Sequence, residues 1–248
     1  MNPIPLAYQR TGKGQPLLLV HGFPLDHTFW EPILPHLTPH FDIILPDLRG
    51  FGNSPTTASG YNLEDLATDL NALLDHLELP AACLAGHSMG GYIALAFARR
   101  FKHRILGLGL LGTQAAPDTP ERRQGRYATI EQIKAEGLKT VLGMAEKLSA
   151  NPAHSPFFRD IIQRQNPAGV MGALQAIAER PDALPQFPGF SFPVAIVHGY
   201  EDSLVPVARA REMHAAQPAA ILTELPGTGH SPPFEAPAAT AAALLQLL

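Results

Sequence analysis

The sequence has few of the features that form disulfides, membrane-spanning helices or signal peptides. Cys83 is the single cysteine of the 248 residues, so no intrachain disulfide can form and the fold cannot depend on an oxidising compartment. No run of about 18 apolar residues occurs, which predicts no membrane-spanning helix. The first 15 residues lack the basic start and apolar run of a signal peptide. We therefore expect a cytoplasmic protein that does not associate with a membrane.

Charged residues are also sparse, at 16% of the chain, and 18 Lys and Arg against 22 Asp and Glu give a net charge of -4. The densest basic run comprises Arg99, Arg100, Lys102 and Arg104 and falls at a predicted helix end, where cations suit the helix dipole. Because a nucleic-acid binder needs a clustered basic surface, no nucleic-acid partner is expected. By contrast, 46% of the residues are apolar, enough for a sizeable core.

Short apolar runs bounded by turn residues predict the strands. The runs at 4–9 and 16–21 flank a turn at 11–14 that contains two glycines, which predicts a β-hairpin. Further runs lie at 41–45, 81–85, 105–111, 194–198 and 220–225. Several of them lack polar alternation, as expected of strands that helices cover on both faces.

Segments with helical periodicity separate these runs. In the clearest, leucines recur on one stripe between residues 63 and 77, and Asn62 precedes them as an N-cap. Residues 89–100, 204–216 and 236–248 are further helix candidates. Strands that alternate with helices predict an α/β fold, with a mostly parallel sheet and helices on both sides.

Residues 114–190 break this alternation. They contain no convincing strand but carry amphipathic helical stretches at 121–136, 138–148, 157–165 and 168–179. The insertion is too long for an ordinary connection between strands. We interpret it as a helical cap over the carboxyl edge of the sheet, so that residues 1–113 and 191–248 form two parts of one core and residues 114–190 the cap.

The most informative motif is Gly86-His87-Ser88-Met89-Gly90, which fits the pattern G-x-S-x-G. An apolar strand leads into it and an Ala-rich helix follows, so Ser88 should lie on a sharp strand-to-helix turn with its hydroxyl above the edge of the sheet. A non-catalytic glycine-rich connection is one alternative. A phosphate-binding loop is another, but the Lys and Ser/Thr of that motif are missing.

A serine hydroxyl is a weak nucleophile, so this interpretation requires a base and a group that orients the base. Asp202 follows the strand at 194–198, and His230 lies in a glycine-flanked loop after the last apolar run. Parallel strands send their carboxyl ends to one edge, where these loops can meet. Glu201 and Asp118 are alternative candidates for the acid.

Together these residues resemble the α/β-hydrolase fold superfamily along nearly the whole chain outside the cap. The resemblance implies that Ser88 is the nucleophile, His230 the base and Asp202 the acid that orients it. Residues 21–24, HGFP, are similar to the family's oxyanion-hole loop. This implies that the backbone N–H groups of Phe23 and Met89 bind the developing oxyanion. Residues 47–54 resemble the loop that the family carries after the next strand.

The resemblance further implies a serine carboxylesterase or an enol-lactonase-like enzyme. We expect a serine hydrolase that cleaves small or medium apolar carboxylic esters through an acyl-enzyme, with a small-molecule ester as its partner and no cofactor. Lactonases, cofactor-free perhydrolases or haloperoxidases and carbon–carbon bond hydrolases remain alternatives, as does a non-catalytic ligand-binding protein. Ser88 argues against dehalogenases and epoxide hydrolases, which carry Asp there. The oligomeric state is left open.

The remaining histidines show no spacing typical of a metal site. His36 and His40 are four residues apart, but Pro39 disfavours one continuous helical face, so no metal is expected. His21 and His87 are predicted to shape loops beside the site. Apolar cap residues are candidates for a substrate pocket, although their helical spacing favours core packing: Met144, Phe157, Phe158, Met171 and Leu174.

Overall fold

The computed structural model describes residues 1–57 and 60–248, and within them seven strands form one sheet. The strands are β1 (Tyr8–Gly12), β2 (Gln15–Val20), β3 (Phe41–Pro46), β4 (Ala82–His87), β5 (Ile105–Leu111), β6 (Val194–Gly199) and β7 (Ile221–Leu225). Their order across the sheet is β1-β3-β2-β4-β5-β6-β7, and every pair except β1–β3 is parallel. The predicted α/β fold with a mostly parallel sheet is confirmed.

The predicted hairpin between the first two strands is wrong. β1 pairs antiparallel with β3, from Tyr8 opposite Pro46 to Gly12 opposite Asp42, while β2 lies between β3 and β4 and is parallel to both. The burial of the two strands explains this arrangement. Residues 17–20 of β2 are fully buried and need a neighbour on each side, whereas most of β1 is exposed, which suits the edge of a sheet.

Helices cover both faces of the sheet. In the described residues the α-helices are α1 (Leu34–Leu37), α2 (Leu63–His76), α3 (Met89–Arg100), α4 (Pro120–Glu136), α5 (Ser155–Gln163), α6 (Pro167–Ala178), α7 (Ala208–Ala216), α8 (Pro232–Glu235) and α9 (Pro237–Leu244). None of them is long and apolar enough to cross a bilayer. α2 begins where the sequence predicts, because the Asn62 side chain accepts from Asp65 N at 2.9 Å and the Asp65 side chain accepts from Asn62 N at 3.0 Å.

Residues 112–193, all of them described, contain helices and no strand, as the sequence predicts. The segment Gly137–Lys147 is a 3₁₀ helix rather than the α-helix that its amphipathic pattern suggested. Helix α7 also begins later than residue 204, because the chain at 202–207 forms a loop in which the Asp202 side chain accepts backbone N–H groups. The predicted cap boundaries fall in the connections that follow β5 and precede β6.

A polar cluster joins the segment 112–193 to the loops that follow β2 and β3. The Asp26 carboxylate accepts from Arg164 Nε at 2.9 Å and from Gln165 Nε2 at 3.0 Å. Gln165 Oε1 in turn accepts from Gly52 N at 2.9 Å. Asp26 lies three residues after Phe23, so this cluster fixes the segment against the loop that borders the site described below.

The cluster predicts a pH-dependent contribution to stability. Burial acts to raise the pKa of Asp26, but hydrogen bonds from Arg164 and Thr28 outweigh it and lower the pKa to about 2. The unfolded chain has a pKa of about 3.9 at Asp, so the stabilisation is present above that value and is lost as the pH falls toward about 2. A shift of this size corresponds to about 2 kcal/mol.

We therefore expect Asp26→Asn to lower the free energy of unfolding by about 2 kcal/mol near neutral pH, and by progressively less below about pH 4. Chemical denaturation at a series of pH values measures the difference. Asp42→Asn is the control, because Asp42 pairs with a partly exposed Arg10 and should contribute about 1 kcal/mol or less. A difference that stays constant through the acid range would show that the charge of Asp26 is not involved.

Candidate active site

Ser88 lies on the turn between β4 and α3 in a strained backbone conformation, with φ 51° and ψ −112°. Close packing on both sides of the turn explains its glycines. A Cβ at Gly86 would lie 2.2 Å from Gly90 O, and a Cβ at Gly90 would lie 2.0 Å from Val20 O. The G-x-S-x-G pattern therefore reflects backbones in contact around a serine that is lifted to the edge of the sheet.

The three residues that the sequence singled out meet at this edge. His230 Nε2 lies 2.9 Å from Ser88 Oγ, and His230 Nδ1 lies 2.8 Å from Asp202 Oδ2. A carboxylate can only accept, so Nδ1 carries the proton and Nε2 is left to accept the hydroxyl proton of Ser88. His230 and Asp202 are 2% and 7% exposed, so these hydrogen bonds lie away from bulk water.

Asp202 is held by its own loop. Its Oδ1 accepts from Leu204 N at 2.8 Å and from Val205 N at 2.9 Å, and His198 Nε2 lies 3.2 Å from Oδ2. Burial alone would raise the pKa of Asp202, but attraction to His230 and the hydrogen bonds from two imidazoles and a backbone amide hold it well below its usual range. Asp202 is therefore a carboxylate that can orient the imidazole and stabilise its protonated form.

The other two candidate acids lie elsewhere. The residue Glu201 is exposed. The Asp118 side chain is buried and pairs with Arg126 and with Arg180, the latter at 2.9 Å. Of the three carboxylates considered from the sequence, the structure brings Asp202 to His230.

Glu235 holds the backbone of the His230 loop, a contact that the sequence analysis missed. Its carboxylate accepts from Gly229 N and Ser231 N at 3.0 Å each, on either side of His230. It also accepts from Ala150 N at 2.8 Å, in the segment 112–193. The sequence did show a Glu shortly after a glycine-flanked histidine. Only the fold shows that this Glu binds the backbone amides beside that histidine.

Two neighbouring histidines shape loops, as predicted. His87 Nε2 donates to His230 O at 2.8 Å, and burial together with repulsion from His230 lowers the pKa of His87 to about 3. His21 Nε2 accepts from Leu48 N at 3.0 Å, and burial lowers its pKa as well. Both imidazoles are therefore neutral, and each forms a hydrogen bond with a backbone group. His198 was not singled out, although a polar residue ending the apolar strand β6 was a usable signal.

A cavity of about 90 Å³ opens beside Ser88, and residues of both the core and the segment 112–193 line it. It is lined by Phe23, Ser88, Met89, Tyr92, Arg122, Arg126, Met144, Ile177, Leu204, Val205 and His230. Met89 is the first residue of α3, so its backbone N–H has no acceptor within that helix. Phe23, the other predicted oxyanion-hole residue, lines the same cavity. Both predicted oxyanion-hole residues thus border the cavity that contains Ser88.

The apolar cap candidates divide between pocket and core. Met144 lines the cavity, and Leu174 lines an adjoining outer cavity of about 350 Å³. Phe158 is fully buried, while Phe157 and Met171 pack against the core. The cavity also contains Arg122 and Arg126, which the sequence analysis missed because cations on a surface helix resemble an ordinary solvated face.

Among the described residues, one group of side chains could bring three metal-ligand atoms within 4.8 Å of one another: Asp26, His27 and Asp47. Hydrogen bonds already use these atoms. Asp47 Oδ1 lies 2.7 Å from His27 Nδ1, and Asp47 Oδ2 accepts from Asn53 N at 2.9 Å. Asp26 binds Arg164 as described above. The ligand atoms of this group therefore already have protein partners, and their hydrogen bonds join neighbouring loops.

Comparison with known proteins places this site in a family. A family model described as alpha/beta hydrolase fold matches residues 15–237. The chain is 36% identical to a thermophilic esterase from Thermogutta terrifontis, solved with malate bound, at a TM-score of 0.92 over 97% of this chain and 92% of that one. It is similar to the enol-lactonase from Burkholderia xenovorans, with 26% identity, a TM-score of 0.89, and coverage of 98% and 95%. The AB hydrolase superfamily protein YisY of Bacillus subtilis is 27% identical over 94% of this chain and 91% of its own.

The packing around Ser88 yields a stability prediction. We expect Gly90→Ala to lower the free energy of unfolding by about 2–3 kcal/mol, because the added methyl group overlaps the carbonyl of Val20. Gly125→Ala in α4 is the matched control. Nothing lies within 4 Å of its Cβ, so we expect it to stabilise the helix by about 0.5–1 kcal/mol. Denaturant unfolding measures both, and equal effects of the two substitutions would contradict the proposed close contact.

Proposed function

The chain belongs to the α/β-hydrolase fold family, and on that premise we propose that it is a serine hydrolase of carboxylic esters. The observation that carries this proposal is the unbroken series of hydrogen bonds from Ser88 through His230 to Asp202, beside a cavity that reaches the serine. The likeness to an esterase over nearly the whole chain supports an ester as the substrate. The cavity of about 90 Å³ favours a small group next to the reacting carbonyl.

The proposed reaction proceeds by acyl transfer to the serine. Ser88 Oγ attacks the ester carbonyl carbon while His230 Nε2 accepts the hydroxyl proton, and the Asp202 carboxylate stabilises the imidazolium that forms. The carbonyl oxygen becomes an oxyanion. When the bond to the alkoxy oxygen breaks, His230 gives its proton to the departing alcohol and leaves an acyl-enzyme.

Water completes the cycle. His230 Nε2 removes a proton from water as its oxygen attacks the acyl carbon, and the second tetrahedral intermediate releases the carboxylic acid as Ser88 recovers its proton. We propose that the backbone N–H groups of Phe23 and Met89 donate to both oxyanions, each such donor being worth about 3 kcal/mol in enzymes where one has been removed. No step requires a group beyond these side chains and water.

Lactone hydrolysis is the second candidate. A lactone is an ester whose alcohol stays attached to the acyl group, so the same steps apply, and the likeness to an enol-lactonase over 98% of the chain favours it. Perhydrolysis and carbon–carbon bond cleavage would use the same three residues with hydrogen peroxide or a carbon leaving group. A panel of p-nitrophenyl esters of graded acyl length, run beside a lactone and a peroxide assay, separates these reactions.

The proposal predicts that Ser88→Ala lowers kcat for the best ester of the panel by about 10⁴ or more, because the nucleophile is removed. Circular dichroism should show an unchanged fold. A burst of p-nitrophenol in the wild type, and none in the variant, would identify the acyl-enzyme. Near-wild-type hydrolysis by the variant would exclude Ser88 as nucleophile, and absence of both burst and turnover in the wild type would favour a ligand-binding protein.

The role of Asp202 has its own test. We expect Asp202→Asn to lower kcat by about 10⁴, because an amide in place of the carboxylate favours the wrong imidazole tautomer. Glu201→Gln is the matched control: it removes the adjacent, exposed carboxylate and should leave kcat within about twofold. If the two variants behaved alike, Asp202 would not be the group that orients His230.

A further inference from the structure

Two arginines face the reacting groups from the cap side of the cavity. Arg122 and Arg126 are four residues apart on α4, so they lie on one face of the helix. Both line the cavity that contains Ser88 and His230, and both also line the outer cavity of about 350 Å³. The two arginines therefore border both cavities.

The charge of these arginines is not balanced locally. Among the described residues that line the two cavities, none is Asp or Glu. Arg126 pairs with Asp118, but Asp118 also pairs with the buried Arg180 at 2.9 Å, so two cations share one carboxylate. The described contact of Arg122 is a hydrogen bond from its Nη2 to the carbonyl of Leu204 at 2.9 Å, which is a neutral acceptor.

A third arginine lies close to the wall of the inner cavity. The Arg180 guanidinium, which shares Asp118 with Arg126, lies 4.3 Å from the ring centre of Tyr92, and Tyr92 lines the inner cavity. Apolar side chains, including those of Phe23 and Met144, line the same cavity. Arg126 is partly buried and Arg122 is exposed, and at either position a charge-assisted hydrogen bond is stronger than one between neutral groups. The net charge of the chain is -4, whereas the arginines beside this cavity make its surroundings locally positive.

We propose that Arg122 and Arg126 form a carboxylate-binding subsite, and that the substrate is an ester or lactone that carries a free carboxylate. This inference rests on the proposed function and names its substrate class. The ester carbonyl lies at Ser88, and the carboxylate accepts hydrogen bonds from the two guanidinium groups, whose planar donors match its paired oxygens. An apolar ester would offer the guanidinium groups no acceptor.

The test compares esters that differ in charge and share their shape. p-Nitrophenyl hydrogen adipate and p-nitrophenyl 6-methylheptanoate present a carboxylate and an isopropyl group at the same distance from the ester, and the glutarate and 5-methylhexanoate pair shortens that distance. Hydrolysis by Ser88→Ala is subtracted as background. We expect kcat/KM to favour an acid over its isostere by about tenfold at low ionic strength, and by less in about 0.5 M KCl.

Variants assign the preference to the subsite. Arg122→Gln and Arg126→Gln should each reduce the ratio of kcat/KM between acid and isostere by about fivefold, and Arg122→Lys should restore part of it. Arg123→Gln is the matched control, because Arg123 is an exposed neighbour on α4 that is not among the described residues lining either cavity. Its ratio should stay that of the wild type.

Two results would overturn the proposal: equal kcat/KM for acid and isostere in both pairs, or a preference that survives both Gln substitutions. A binding measurement distinguishes failure of this proposal from failure of the proposed function. If no ester is cleaved in a Ser88-dependent manner, calorimetric titration of adipate into Ser88→Ala decides the question of the subsite. Binding that Arg122→Gln weakens about fivefold in that background supports the subsite, and no measurable binding refutes it.

Discussion

The hydrogen bond between His230 Nδ1 and Asp202 Oδ2, at 2.8 Å, is the interaction on which the site depends. It fixes the imidazole tautomer, so that Nε2 faces Ser88 Oγ as an acceptor. Both partners are buried, so water could not replace this hydrogen bond if the carboxylate were misplaced or the ring rotated. The surrounding contacts can be understood as a means of holding these two side chains in place.

The backbone around His230 and Asp202 is fixed by polar groups rather than by apolar packing alone. Two amides of the loop after β6 hold one oxygen of Asp202, and Glu235 holds the amides on both sides of His230. His87, neutral because burial lowers its pKa, donates to the carbonyl of His230 itself. Hydrogen bonds of this kind rigidify a loop that carries no regular secondary structure, which is what preorganised chemistry requires.

The segment 112–193 is joined to the core at places that border the site. Asp26 and Gly52 bind Arg164 and Gln165 on one side, and Glu235 binds Ala150 on the other. The same segment carries α4, whose Arg122 and Arg126 line the cavity that contains Ser88. In the proposed function the core supplies the reacting groups and the inserted segment supplies the positive charge beside them, so the two parts set reaction and substrate choice separately.

Much of this protein could be predicted from its sequence, because local rules govern the features concerned. Apolar runs located every strand except β1, which lies at 8–12 where 4–9 and a turn at 11–14 were predicted. The Asn62 pattern located α2, and the glycines around Ser88 indicated the strained turn. The convergence of Ser88, Asp202 and His230 followed from the shared direction of parallel strands. The edge position of β1 could not be predicted in the same way, since pairing depends on which strands need two buried neighbours.

Tertiary structure alone decided how the side chains were used. The sequence favoured Asp202 as the acid and kept Glu201 and Asp118 as alternatives, and only the packing shows that Asp202 contacts His230 and that Asp118 pairs with arginines. Arg122 is exposed, as the sequence of a surface helix suggests, and only the tertiary structure shows that it also lines the cavity beside Ser88. The reason is physical: propensity and periodicity act along a few residues, whereas the partner of a polar side chain is set by segments far away in the chain.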